Sequence, residues 1–377
     1  MSVSNNYIKW ARRLAGRRAA LSHILIQVNF WVLVNLLFVL IAYCFSKAAY
    51  GYIHFQAEIK ILKISLIAVL LGALYGAIQG YSDYHIEKRL ILKGILGRYL
   101  LFKFLISSAF SIFFLGIFSQ VIAETRFLGT LAGNQFIIAF ISSKYFLFIF
   151  GIYHSLMNML LILINQVNNK YGPGVLLPLL LGRYTTPVIE ERIFMFMDLK
   201  SSTMLAEELG HITYSKFIRD AFCDINYMLG TYAAEVYQYV GDEVVITWPA
   251  EMPDAEGYAV DFFFACQGRL TGRRLYYNAI YGAVPAFKAA LHKGAVTAVE
   301  IGIVKREIAY HGDVLNTASR IQSLCNEFGK DLLASEDFVI QSFFRSDLTV
   351  KQLGSVTLKG KSLMTEIFSI EQCITGM

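Results

Sequence analysis

Asp198 closes a short apolar run, Arg192 to Met197, and is followed by Leu199, Lys200, Ser201, Ser202 and Thr203 and then by a helical pattern ending at Gly210. That order reads as strand, turn and helix N-terminus. A turn of this kind, here carrying Ser201, Ser202 and Thr203, presents backbone N–H groups to phosphate oxygens. Asp198 at the strand's end offers a hard oxygen ligand to a magnesium ion. The plainer reading is that Asp198 only caps the helix. About forty residues on, two β-rich segments, Glu235 to Val240 and Val244 to Trp248, flank Gly241-Asp242-Glu243. Alone this is a hairpin. Two aspartates at neighbouring strand ends, however, make a site for two divalent ions, which would bind a triphosphate and lower the pKa of an attacking hydroxyl.

A third element is His311-Gly-Asp-Val-Leu-Asn316-Thr-Ala-Ser-Arg320. Asn316 and Arg320 are four apart and so share a helix face. An arginine there can stabilise charge developing on a phosphoryl group and an asparagine can orient a sugar; an isolated pair of this kind is otherwise a solvated face. Further on, Leu358-Lys359-Gly360-Lys361 precedes a closing strand, Glu366 to Ile370. Its lysines could meet outer phosphates, or form no more than a basic turn.

The elements that must position these residues fall into two modules. Only 16% of the 377 residues are charged and 56% are apolar, against roughly 25% charged in an ordinary soluble domain. The deficit lies before about residue 168: no Asp, Glu, Lys or Arg interrupts the chain between Arg18 and Lys47, Lys63 and Asp83, Lys103 and Glu124, or Lys144 and Lys170. Each gap is long enough for a helix to cross a hydrocarbon core of about 30 Å. Four spans are expected, near 21–45, 63–82, 101–123 and 143–167, the first retained as an anchor because it is too long for a signal-peptide core. Asn29, Asn35 and His154 are read as buried polar groups within them, His154 either as a functional site or as an interhelical packing bond. The basic cluster Lys9, Arg12, Arg13, Arg17 and Arg18 and the loop with Lys88, Arg89, Lys93 and Arg98 place those segments in the cytosol. The even count returns the C-terminal module there, which predicts an integral protein of the inner (cytoplasmic) membrane. The net charge of +6 is thus a topology signal, and no nucleic-acid partner is expected. Five scattered cysteines fit neither a zinc site nor a disulfide framework. The segment 168–191 contains Pro173, Pro178 and Pro187 and is a linker, because proline removes a helical donor and clashes with the preceding turn.

Taken in series, FMDLKSST, YVGDEVV, HGDVLNTASRIQ and LKGK resemble, in order and spacing, the catalytic domain of class III adenylyl and guanylyl cyclases. The resemblance covers about residues 192–370, roughly half the chain. It implies an α+β, ferredoxin-like domain acting as a homodimer, behind the four-helix transmembrane domain at 1–167. It further implies two divalent cations, Mg²⁺ or Mn²⁺, held by Asp198 and Asp242 with the Leu199 carbonyl assisting. Asn316 and Arg320 resemble the ribose-orienting and transition-state residues, and Lys359 the phosphate-binding lysine. One departure concerns the base. Where well-known adenylyl cyclases carry a Lys and an Asp, this chain has Gln238 and Ala309. Gln can donate and accept, whereas Ala offers no polar atom. ATP is the expected triphosphate, with GTP or a pyrimidine triphosphate as alternatives.

Two other readings differ in kind. A diguanylate cyclase is echoed by Val240-Gly-Asp-Glu-Val, but the second glycine of that signature is missing and Asn316 to Arg320 fits the class III pattern. A non-catalytic nucleotide-binding membrane sensor would be expected to have lost part of the chemical set, and Asp198, Asp242, Asn316, Arg320 and Lys359 are all present.

Overall fold

The computed structural model describes residues 19–53, 61–90, 96–125, 144–171, 182–304, 306–340, 345–358 and 364–373. The chain divides into two compact units, Ala20–Lys170 and, apart from the first residues, Tyr171–Met377.

The first unit is helical: α1 (Ala19–Ile53), α2 (Ile61–Leu90), α3 (Leu96–Thr125) and α4 (Lys144–Tyr171). Its polarity is inside out. Leu33, Leu37, Leu66, Leu70, Phe113 and Phe148 are exposed, while Gln27, Asn35, Gln79, Ser107, Ser111, His154 and Asn158 are buried. Helices surrounded by lipid gain nothing by burying leucine but must pair their polar groups. Among the described residues three stretches have the length and composition to cross a bilayer, His23–Phe45, Ile64–Asp83 and Lys144–Val167, and in α3 the apolar stretch is Leu100–Phe113.

Helices α1 and α2 touch backbone to backbone. A Cβ on Gly72 would lie 2.8 Å from the Trp31 carbonyl oxygen, one on Gly76 2.6 Å from Val28 Cα, and one on Gly80 2.9 Å from Ile24 Cα. Spacing of four along both helices permits this approach. The polar interior closes the bundle. Gln79 donates to Ser107 Oγ (2.5 Å) and Asn158 Oδ1 (3.0 Å), and Tyr75 Oη lies 2.7 Å from Ser111 Oγ. His154 is 3.2 Å from Asn35 Oδ1 and 3.3 Å from Ser111 Oγ, stacked between Trp31 and Phe150. The imidazole thus does the interhelical bonding that was one of its two expected roles. The expectation for Asn29 is corrected: it is exposed, because it sits about 200° round the helix from the buried Gln27.

The second unit is α+β. Its elements are β1 (Val188–Leu199), α5 (Ser202–Leu229), β2 (Glu235–Val240), β3 (Glu243–Pro249), α6 (Ala255–Gly272), α7 (Arg274–Tyr281), β4 (Phe287–Ile301), β5 (Glu307–His311) and α8 (Asp313–Ser323). They continue through α9 (Cys325–Phe328), β6 (Leu332–Ser335), α10 (Glu336–Val339), β7 (Leu348–Thr357) and β8 (Met364–Gln372). Among the described residues the strands form one mixed sheet in the order β2-β3-β1-β4-β6-β8-β7, with β5 also paired to β4 and only β4–β6 parallel.

Strand alternation divides β1 between two layers. Ile193, Met195, Met197 and Leu199 join residues of α5, α6 and α7, whereas Phe194 and Phe196 pack with Val314 and Ala318 of α8. Asp198 falls on the α8 side. Where the chain enters the sheet, the wholly buried Arg192 bonds Glu235 (2.9 Å) and Glu190 (3.3 Å) and lies 4.7 Å over the Tyr310 ring. Arg183 and Tyr184 also reach Glu190, so the incoming segment is pinned to β1, β2 and β5 by one charge cluster.

Candidate active site

β1 carries Asp198 to its end, and the β2–β3 turn carries Asp242 beside it. The register sets Asp198 opposite Glu243 on one side and Lys288 on the other. Gly241 has φ 62°, a left-handed conformation that favours glycine and lets the turn bring Asp242 and Glu243 up to the strand end. Three carboxylates therefore crowd one edge of the sheet. Burial first, and then the Asp242 charge, raise the Asp198 pKa against the opposing pull of Lys288 and Gln322. Burial, Asp198 and Asp242 push Glu243 up to about 7. Such mutual repulsion is relieved by a cation, which is what suits these residues to divalent ions. Among the described residues no group of three or more His, Cys, Asp or Glu side chains is placed to hold a metal ion by itself.

The capping role for Asp198 is not what the geometry gives. Ser201 occupies the N-cap position of α5, with φ 54°. Instead Asp198 Oδ2 accepts from Gln322 Nε2 at 3.0 Å and lies 3.4 Å from Lys288 Nζ. Ser202 begins α5, and the helix leaves Gly210 with φ 69° and ψ 160°, a break at the expected glycine after which a second helical segment follows directly. Leu199 buries its side chain, so only its backbone is available to the site.

Gln238 lies exposed on β2 and Ala309 buried on β5. A bulge between Val236 and Gln238 sets Gln238 opposite Val245, and Val245 packs with Phe196, so Gln238 shares the sheet face of Asp198. Along β5 it is Tyr310 that meets Phe194 and Tyr237, with ring centroids 5.6 and 5.1 Å away. By alternation the Ala309 methyl points to the other side. The structure thus brings Tyr237 and Tyr310 together on the face of Asp198.

Helix α8 turns Val314, Thr317, Ala318, Ile321 and Gln322 inward. Asn316 and Arg320 lie on the reverse, about 200° round the helix from Ala318 and Gln322 respectively. Asn316 is exposed and Arg320 half-buried, and neither side chain bonds another described residue of the protomer. Lys359 lies outside the described residues. Residues that sequence reading missed are Gln322, Lys288, Glu243 and Tyr214. Burial and the Asp242 charge raise the Tyr214 hydroxyl's pKa, against a hydrogen bond with Ser202. Only Glu243, next to Asp242, carried a sequence signal; the others depend on cross-strand register and helix packing.

Comparison with known proteins bears on this arrangement. No family model matches the chain. Over 210 residues it is 33% identical to adenylate cyclase 2 of Rhizobium meliloti (strain 1021), covering 56% of this chain and 58% of that protein. The C-terminal half is similar to adenylate cyclases. Adenylate cyclase 1 of the same organism is 23% identical over 186 residues, and the adenylate cyclase of Anabaena cylindrica 21% over 181. The chain spans 58%, 27% and 36% of the lengths of these relatives. Among solved structures, the adenylyl cyclase CyaB from P. aeruginosa matches with TM-score 0.44 and 17% identity over 50% of this chain and 96% of that one. A guanylate cyclase domain from Catenaria anguillulae, in complex with GTP, matches with TM-score 0.42 and 16% identity over 50% and 99%.

Proposed function

We propose that the protein is a membrane-anchored nucleotidyl cyclase that converts ATP to 3′,5′-cyclic AMP and pyrophosphate in a homodimer. The observation that carries this reading is that Asp198 and Asp242 crowd one strand edge while Asn316 and Arg320 face away from it on α8. One protomer cannot turn both sets toward a single triphosphate. In a two-fold dimer each site would combine the carboxylates of one chain with the helix face of the other.

Divalent ions held by Asp198, Asp242 and the Leu199 carbonyl would neutralise the triphosphate and lower the pKa of the ribose hydroxyl. The amides at the start of α5, from Ser202 and Thr203 onward, receive phosphate oxygens. Asn316 orients the ribose. As its 3′ oxygen loses a proton and bonds the α-phosphorus, the bond from that phosphorus to the β-bridging oxygen breaks. Arg320 then stabilises charge on the α-phosphoryl oxygens and Lys359 binds the departing pyrophosphate. Gln238 faces the site side of the sheet and reads the base. The absence of a charged partner at Ala309 keeps GTP as the second candidate. The anchor comprises four spans, with both termini and the catalytic domain in the cytosol.

Mixing tests the reading. Asp242→Ala and Arg320→Ala homodimers should each be nearly inactive. After free exchange about half the dimers are mixed, each with one intact site, so about a quarter of wild-type activity should return, with the product identified by mass. No recovery despite demonstrated exchange rejects the shared site.

A further inference from the structure

Gln322 is a buried amide two residues beyond Arg320 and pointing the other way. Its Nε2 donates at 3.0 Å to Asp198 Oδ2, the oxygen that also lies 3.4 Å from Lys288 Nζ. Both donors thus fall on one oxygen, and among the described residues none reaches Oδ1. Lys288 is itself held, donating to Asn326 Oδ1 at 3.2 Å. Val314, Ala318 and Ile321 seat the helix against the sheet, so Gln322 cannot swing away without leaving a buried amide unpaired.

We propose that Gln322 is a positioning residue for the metal site: it fixes Asp198 of its own chain with Oδ1 turned outward, while the reverse of the same helix serves the partner's site. This rests on the shared-site reading above and adds that α8 belongs to both sites of the dimer at once. Donors that orient a ligating carboxylate typically change metal affinity or activity by about 10–100-fold when removed.

The test uses full-length protein with two affinity tags, so that a mixed dimer of an Asp242→Ala chain and an Arg320→Ala chain can be isolated. Its one intact site takes metal ligands from the Arg320→Ala chain. Gln322→Leu on that chain should raise the manganese concentration for half-maximal activity about tenfold. The same change on the other chain should leave that midpoint where it was, although it lies in the helix that supplies the working Arg320. An equal shift from either chain, or none from the first, overturns the proposal. A merely structural role would move the maximal rate or the melting temperature, not the midpoint of one chain. If the parent mixed dimer is inactive, the shared-site reading fails instead. Manganese binding by the Gln322→Leu homodimer, read from the free-ion EPR signal without turnover, then decides: about tenfold weaker binding supports the positioning role, and unchanged binding overturns it. Gln322→Met serves should the leucine variant not fold.

Discussion

At the scale of single residues, the proposed base reader, Gln238, is an uncharged side chain. Gln238 is exposed and on the face of Asp198 only because a bulge shifts the register of β2 by one residue; without it the amide would point to the opposite layer. Ala309 contributes no polar atom and is buried. Removing the amide in Gln238→Ala should therefore erode the ratio of kcat/KM for ATP over GTP far more than it lowers kcat with manganese. The carboxylates lie elsewhere on the sheet edge and stay intact. A lost hydrogen bond to a substrate edge changes discrimination by about 1–3 kcal/mol. An unchanged substrate ratio, measured with both triphosphates, would move base readout to other groups. Asp198 was legible from its place between an apolar run and a hydroxyl-rich turn. Its partners Gln322 and Lys288 were not, since they lie far along the chain and meet it only through register and helix seating.

Among the elements, the tightest fit joins α1 and α2. Gly76 is the critical point because the nearest atoms are Val28 Cα and the Gln27 carbonyl oxygen, at 2.6 and 2.8 Å from a built Cβ, and backbone cannot rotate aside. Gly76→Leu should separate the helices and cost about 1–3 kcal/mol as overpacking does. That loss would be read as a lower unfolding temperature of the purified protein in detergent. Gly151 of α4 has nothing within 4 Å of its Cβ position, so Gly151→Leu is the matched control and should not melt below the parent. Equal melting of all three proteins would contradict the packing. The α8 helix makes the complementary point: the spacing of Asn316 and Arg320 gave a shared face from sequence, but which way that face looks depended on Val314, Ala318 and Ile321 meeting the sheet.

For the whole molecule the decisive quantity is the number of membrane crossings. Among the described residues three stretches qualify by length and composition, and the third helix of the expected four shows its apolar character over Leu100–Phe113. With four crossings the Lys/Arg bias puts both termini in the cytosol, where the nucleoside triphosphate is. A reporter active only outside the cytosol, fused after Met377, should stay silent, while the same reporter inserted between α1 and α2 should give signal. Signal from the C-terminal fusion would require an odd count and would place the proposed catalytic unit away from its proposed substrate.

The sequence by itself determined the division into an apolar helical unit and an α+β unit, because charge-free runs of membrane length and alternating strand patterns are local properties. It also determined the strand-end position of Asp198, the Gly-Asp turn and the helical spacing of Asn316 and Arg320, since each lies within one element or one turn. Only the tertiary structure decided which groups surround them. Gln27 proved buried and Asn29 exposed because packing chose one side of α1. Gln238 faces the site because of a bulge, and Gln322 meets Asp198 across 124 positions of chain. Such contacts follow from register and the rotation of helices about their axes, which are set by the fit of whole surfaces and have no signature in a short stretch of residues.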